Sequence, residues 1–143
     1  MALTRNDPYR THNFRIELDG IDRAGFREAS GLESTTAPID YREGTMGLSV
    51  QKLPGLVQQS TITLRGGLTD DSALWDWRKS VVDGAVQRKN GSIVLLNEEG
   101  EEKLRWNFVE AWPSKWTGPA LNATGNEVAI EALEITHEGL AKA

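Results

Sequence analysis

The sequence predicts a mainly β fold, antiparallel and sandwich- or barrel-like, with one inserted α-helix. Three observations carry this. Short runs alternate apolar and polar residues, the period of a half-buried strand. Gly, Pro and Asn punctuate the chain between those runs. One stretch alone, Asp70 to Asp83, spaces its apolar residues at helical period.

From the N-terminus, Phe14, Ile16 and Leu18 share one face of Asn13 to Leu18, with Arg15 and Glu17 on the other. Asp19-Gly20 is a hairpin turn pair, because Gly accepts positive φ. It predicts that Ile21 to Ala29 returns as the partner strand, with a bulge or close approach at Gly25. Leu32 to Tyr41 is β-compatible, and Pro38 assigns it to an edge or a strand end. Ser60 to Arg65 turns Ile62 and Leu64 inward and Thr61, Thr63 and Arg65 outward.

The helix over 70–83 has cap candidates in Thr69, Asp70 and Asp71, whose charge suits a helix N-terminus. Leu74, Trp77, Arg78 and Val81 fall at helical spacing, and Gly84 is placed as the stop. Trp75 and Trp77 lie two apart and cannot share a face; either one enters the core and the other lies at a boundary or against a neighbour, or both are partly buried at the helix–sheet seam. Ser92 to Leu96 and Lys103 to Val109 read as strands around the Asn97 to Gly100 turn. Glu110 to Gly125 reads as a connection punctuated by Pro and Gly. Glu127 to Thr136 is the last strand; its apolar phase slips at Glu131-Ala132, which predicts a bulge or burial on both faces. His137 to Ala143 reads as a frayed tail.

The chain has 143 residues, enough for one domain spanning 1–143 with a sizeable core. It has no cysteine, which removes disulfides, thiolate metal sites and a thiol nucleophile. Its net charge of −5, without any run of Lys or Arg, disfavours nonspecific nucleic-acid binding. Met1 to His12 is polar and lacks an apolar signal core, and no run suits a membrane span. Cytoplasmic synthesis without a signal peptide is expected, with release by lysis or a dedicated machine. His12 and His137 sit in polar surroundings far apart in the chain and read as solvated. No metal-ligand spacing, phosphate-cradling loop or catalytic constellation is present. No cofactor is expected and the chain does not read as an enzyme.

One stretch fits none of these elements. Arg42 to Gln58 (REGTMGLSVQKLPGLVQ) scatters Met46, Leu48, Val50, Leu53, Leu56 and Val57 among Gly and Pro, with no clean period. It is too apolar for a disordered tract. It reads as an arm that orders against another copy of the chain. Trp112 and Trp116, flanking Pro113, are further candidates for a contact between subunits.

Three long segments carry a family resemblance: NFRIELDGIDRAGFREASGLES, REGTMGLSVQKLPGLVQQSTITLRGGLTDDSALWDWRKSV and NFVEAWPSKWTGPALNATGNEVAIEALEITHEGL. In order and spacing, from about Asp7 to Leu140, the chain resembles the tail tube proteins of contractile phage tails and phage-tail-like injection systems. The resemblance implies homohexameric rings that stack into a hollow tube inside a contractile sheath. It implies a sheet that continues between subunits into a ring-shaped barrel. It places the inter-ring arm at 42–58, with Met46, Leu48, Val50, Leu53, Pro54 and Leu56 as its contacts.

The polar faces then supply candidate lumen residues: Arg15, Glu17, Thr61, Thr63, Arg65, Glu131 and Glu134. The implied partners are further copies of the chain, a sheath protein, baseplate and spike or tube-initiator proteins, and a protein or DNA cargo in the lumen. The particle is a phage tail or an injection device, released by lysis or held in the cell. Two other readings stay open at this point. One is a type VI secretion ring protein; the other is a stand-alone β-sandwich binding module, which leaves the arm and the tryptophans without partners.

Overall fold

A computed structural model describes residues 13–19, 21, 26–44, 47–68 and 71–143. Its elements run β1 (Phe14–Leu18), β2 (Phe26–Ser30), β3 (Ser34–Tyr41), β4 (Gln51–Gln59), β5 (Ile62–Gly67), α1 (Ala73–Val82), β6 (Lys89–Leu96), β7 (Glu102–Thr117), β8 (Ile130–Thr136) and β9 (Gly139–Lys142). All strand pairings are antiparallel.

The main sheet has the order β1-β6-β7-β8-β5-β2, with β9 added beside β7. It is folded over on itself, and β7 is the fold line. The first half of β7 pairs with β6 and β9; its second half pairs with β8. One layer is therefore β1, β6, the first half of β7 and β9. The other is the second half of β7, β8, β5 and β2. The core lies between them: Ile16, Leu18, Ile93 and Phe108 from the first layer meet Ile62, Leu64, Leu133 and Ile135 from the second. Burying such side chains is the main favourable term in holding the layers together, at about 1.5–3 kcal/mol each.

Local chemistry explains the fold line. Glu110 has φ of 52°, a left-handed conformation unusual for a residue with a side chain. Its N–H donates to the Asn90 side chain at 3.1 Å, which holds the turn of the strand. Pro113, three residues on, lies beside a register shift in the β7–β8 ladder, where a missing N–H is tolerated. Gly91 is needed where β6 passes between its two neighbours in the first layer, level with Phe108: a Cβ there would meet Phe108 Cζ at 2.5 Å and the Glu17 carbonyl at 2.6 Å.

Helix α1 packs on the core side of the second layer. Leu74 and Trp77, one turn apart, enter the core. The Trp77 indole donates to the Gln87 carbonyl at 2.7 Å, and Arg78 donates to the Pro113 carbonyl at 3.1 Å. Trp77 is 3% exposed and Trp75 45% exposed, so one enters the core and the other sits at its boundary, and the two are not both half-buried at the seam. Asp71 accepts the Ala73 N–H at 2.9 Å at the helix start, and Gly84, at φ 82°, stands where the helix ends. Thr69 and Asp70 lie outside the described residues.

Four expectations need correction. First, β1 and β2 do not form a hairpin. A single bridge joins Leu18 to Ile21, while β1 pairs with β6 and β2 with β5. The apolar faces of β1 and β2 are buried in different layers, and that burial overrides the local turn signal. Gly20, Gly25, Met1 to His12 and Met46 lie outside the described residues. Second, Glu110 to Thr117 is strand rather than connection. Third, β8 has neither bulge nor two-sided burial. Its ladder with β5 is unbroken from Ile62↔Ile135 to Gly67↔Ile130. Glu131, Leu133, Ile135 and His137 alternate strictly inward, whereas Val128 and Ile130 are exposed. A carboxylate occupies the first inward position because the Trp116 indole donates to it at 3.0 Å. Fourth, the tail is not frayed. Gly139–Lys142 forms β9 against β7, and His137 is 4% exposed, with its ring centroid 6.2 Å from that of Phe108.

Candidate assembly surfaces

The stretch that resisted a period is half of a long β-ribbon. β3 and β4 pair with each other in a separate two-stranded sheet. Pro38 faces Pro54 across the ribbon beside a register shift, so the two prolines and the shift hide the strand period in the sequence. All of β3 is exposed, and Gly55 and Gln59 alone are partly covered in β4. Leu48 is 96% exposed and Leu56 is 82% exposed; Ile39, Tyr41, Val50, Leu53 and Val57 are exposed too. Polar contacts within the ribbon fix its tip. Lys52 pairs with Asp40, Arg42 donates to the Gly47 carbonyl, and the Tyr41 hydroxyl donates to Glu43 at 2.6 Å. That last bond holds the Tyr41 phenol above its ordinary pKa.

An isolated two-stranded ribbon is marginal in water, and this one exposes more large apolar residues than a monomer normally leaves wet. It leaves the body at Gly31, whose φ is 92° and where a Cβ would collide with the Thr61 carbonyl at 2.0 Å. Sequence reasoning placed Leu48, Val50, Leu53, Pro54 and Leu56 on this arm, and all five are exposed here. It missed Ile39, Tyr41 and the rest of β3. The available signal was Pro38, sixteen residues before Pro54 in two runs rich in β-formers.

The seven lumen candidates fall into three places. Thr61, Thr63, Arg65 and Glu134 stand on the outer face of the second layer, with Arg65 level with Glu28 and Thr63 with Glu134. Arg15 and Glu17 stand on the opposite side of the molecule, on the outer face of the first layer. Glu131 is 3% exposed and points into the core. No single face of the protomer takes all seven. Trp116 is half-buried, edge-on to Trp75 at 4.9 Å between centroids, and its indole donates to Glu131. Trp112 is half-buried, level with Thr136.

The outer face of the first layer is an ion-pair network. Arg105 donates to Glu17 at 2.7 Å and to Glu102 at 2.6 Å, and Arg15 lies 3.2 Å from Glu17 and 3.7 Å from Glu102. Hydrogen bonds from Arg105 hold both carboxyls below the ordinary carboxylate range, and the two carboxylates raise the Arg105 pKa in return.

The second layer has a different character. It is a four-stranded sheet covered on its core side by the first layer and the helix. Among the described residues, no strand pairs the outer side of β2 or the outer side of the second half of β7.

A groove of about 340 Å³ opens between the layers, lined by Phe14, Ala29, Leu32, Ile93, Leu95 and Trp106 with Arg27 and Glu28. Its lining holds no nucleophile and no histidine. Among the described residues no group of three or more His, Cys, Asp or Glu is gathered to hold a metal ion, and no helix is long and apolar enough to cross a membrane.

Solved structures of contractile injection machinery match this geometry. The chain is 30% identical to a tube component of the sheath-tube complex of PVC, an extracellular contractile injection system; the match covers 95% of this chain and 91% of that one, with a TM-score of 0.86. It is 29% identical to a chain of the PVC sheath/tube terminator, covering 98% and 99% with a TM-score of 0.89. It is 26% identical to a chain of the anti-feeding prophage baseplate, resolved with 6-fold symmetry, covering 97% of each with a TM-score of 0.86. Hcp1 from Salmonella typhimurium, at 14% identity, 91% and 92% coverage and a TM-score of 0.53, shares the fold alone. No curated protein matches the sequence. The model of the T4-like virus tail tube protein gp19 family matches residues 10–141, and this chain belongs to that family.

Proposed function

We propose that this chain is the inner-tube subunit of a contractile injection system, a structural protein without catalytic activity. Copies associate side by side into six-membered rings, and rings stack into a hollow conduit within a sheath. The observation that carries this is the β3–β4 ribbon, an exposed apolar arm that its own chain leaves uncovered. The second layer supports the ring: the outer side of β2 of one copy meets the second half of β7 of the next, which extends the sheet and removes its edges. Its outer face, with Thr61, Thr63 and Arg65, then lines the conduit, and the helix and the first layer face outward. The ribbon reaches the adjacent ring through Leu48, Val50, Leu53, Pro54 and Leu56. A sheath, a baseplate and a terminator are the partners, as in the relatives' assemblies.

Electron microscopy of purified protein tests the reading. The full chain should give rings and tubes. Deleting residues 44–54 should leave rings and abolish stacking. Long tubes from the deletion variant would remove the ribbon from the axial contact. A monomer that persists at high concentration would refute self-association altogether.

A further inference from the structure

A second exposed apolar surface lies at the opposite end of the protomer from the ribbon; its assignment rests on the ring and arm proposed above. The ladders of the second layer fix which end each feature occupies. Ser30, Ile62, Ile135 and Trp112 stand together at one end of the four strands; Phe26, Gly67, Ile130 and Thr117 stand at the other. The ribbon springs from the first end, next to Gly31 and Ser60. The connection from Gly118 to Ala129 crosses the second end. In a ring whose lateral contacts use the outer sides of β2 and β7, strand ends face along the axis. Ribbon and connection therefore lie on opposite axial faces of one protomer.

That connection is both apolar and shaped. Leu121 is 86% exposed and Val128 68%, with Leu68 and Ile130 exposed nearby. Pro119, Leu121, Val128 and Ile130 line a pocket of about 350 Å³. Asn122 forms its turn: the side-chain oxygen accepts the Thr124 N–H at 3.1 Å and the Thr124 hydroxyl at 2.9 Å, and the Asn122 carbonyl accepts the Gly125 N–H at 3.0 Å. The Leu68 N–H donates to the Ala129 carbonyl at 2.9 Å and ties the returning end to the tip of β5. Neither surface carries much charge. From Gly118 to Ile130 the one charged residue is Glu127; from Leu48 to Val57 it is Lys52, which Asp40 already pairs. Covering one with the other buries apolar side chains and strands little charge, the condition under which burial is favourable.

We infer that the 118–129 connection receives the ribbon of the neighbouring ring. The occupant is a second copy of this chain, because the matching surface is present once per copy at the far end. With 8 residues in β3 at about 3.3 Å each, the ribbon is about 26 Å long and can lie along the receiving protomer rather than touch it at a point. Two unlike surfaces at opposite ends make a heterologous contact, which repeats along an axis without closing. Every ring then offers ribbons on one face and receivers on the other.

The test uses full-length chain and two readouts. A Leu121→Asp, Val128→Asp variant changes exposed side chains and should give single rings without stacks by electron microscopy, as the 44–54 deletion should. Mixed together, the two ring preparations should form pairs of rings and nothing longer, since each keeps one intact face. Direct contact is read by cross-linking, which is clean because the chain has no cysteine. Tubes co-assembled from Leu121→Cys chains and either Leu53→Cys or Leu56→Cys chains should give a covalent dimer with a short bismaleimide; each variant alone should give none. Long tubes from the aspartate variant, mixed rings that do not pair, or tubes without a cross-link from either ribbon position overturn the inference. Should the aspartate variant form no rings, the cross-link decides alone. Tubes from the aspartate variant while the deletion stays unstacked leave the arm axial and remove only its receiver. Tubes from the deletion remove the arm itself, and this inference with it.

Discussion

His137 holds an inward position on the chain just past β8, and neither of its ring nitrogens finds a hydrogen-bond partner among the described residues. An orphaned buried polar atom costs about 1–3 kcal/mol. His137→Phe keeps the aromatic contact with Phe108 and removes the orphaned atoms. It should raise the urea midpoint by an amount equivalent to about 1 kcal/mol, read from equilibrium unfolding of the unassembled protein. Arg105 makes the opposite case, a polar residue whose partners are all in place. The carboxyls of Glu17 and Glu102 titrate lower in the folded chain than in the unfolded one. Their contribution is therefore full above the unfolded carboxylate range near pH ~4.3 and is lost as pH falls through the lower folded values. Arg105→Met should be less stable than the parent at neutral pH. The gap should close on acidification below pH ~4, and thermal melts across pH will show whether it does. Nothing in the sequence distinguishes Arg105 from Arg15 or Arg65 beforehand, because a two-residue alternation gives the face but not the partner.

Among elements, the ribbon departs most from what periodicity can reveal. Asn13 to Leu18, Ser60 to Arg65 and the core positions of α1 are legible because each buries one face, and one-sided burial leaves a period of 2 or 3.6 in the residues. The ribbon buries neither face in its own chain, so nothing in the protomer selects an alternation, and the Pro38–Pro54 register shift breaks what remains. Its composition was still informative: Leu48, Leu53 and Leu56 in a tract without a period point to a partner. β9 and the second half of β7 escaped for another reason. Both are placed by long-range pairing, of Leu140 with Phe108 and of Trp116 with Leu133, which no local window contains. Glu131 looked like a surface carboxylate because its partner, the Trp116 indole, comes from a different strand. The ribbon's isolation also predicts its dynamics. Amides of Gln51–Gln59 should exchange quickly in the unassembled protomer and slow by tenfold or more on tube formation, as locally unstable segments do when a partner covers them. Hydrogen exchange followed by mass spectrometry measures this directly, and protection already complete in the monomer would mean that the ribbon needs no neighbour.

At the scale of the whole molecule, fold class, the single helix and the family were legible from order and spacing, while the layer each residue faces was not. Only the folded sheet separates Thr63 and Arg65 from Arg15 and Glu17. That separation gives the protomer two polar faces of different construction: a tight Arg105 network on one side and a sparse, balanced field on the other. The β7 strand has one more consequence. Because a single unbroken length of backbone serves both layers, neither can slide over the other without tearing hydrogen bonds from β6 or β8. A wall built of such protomers has its two leaves stitched together by covalent bonds, so shear between them meets the chain itself before it meets side-chain packing.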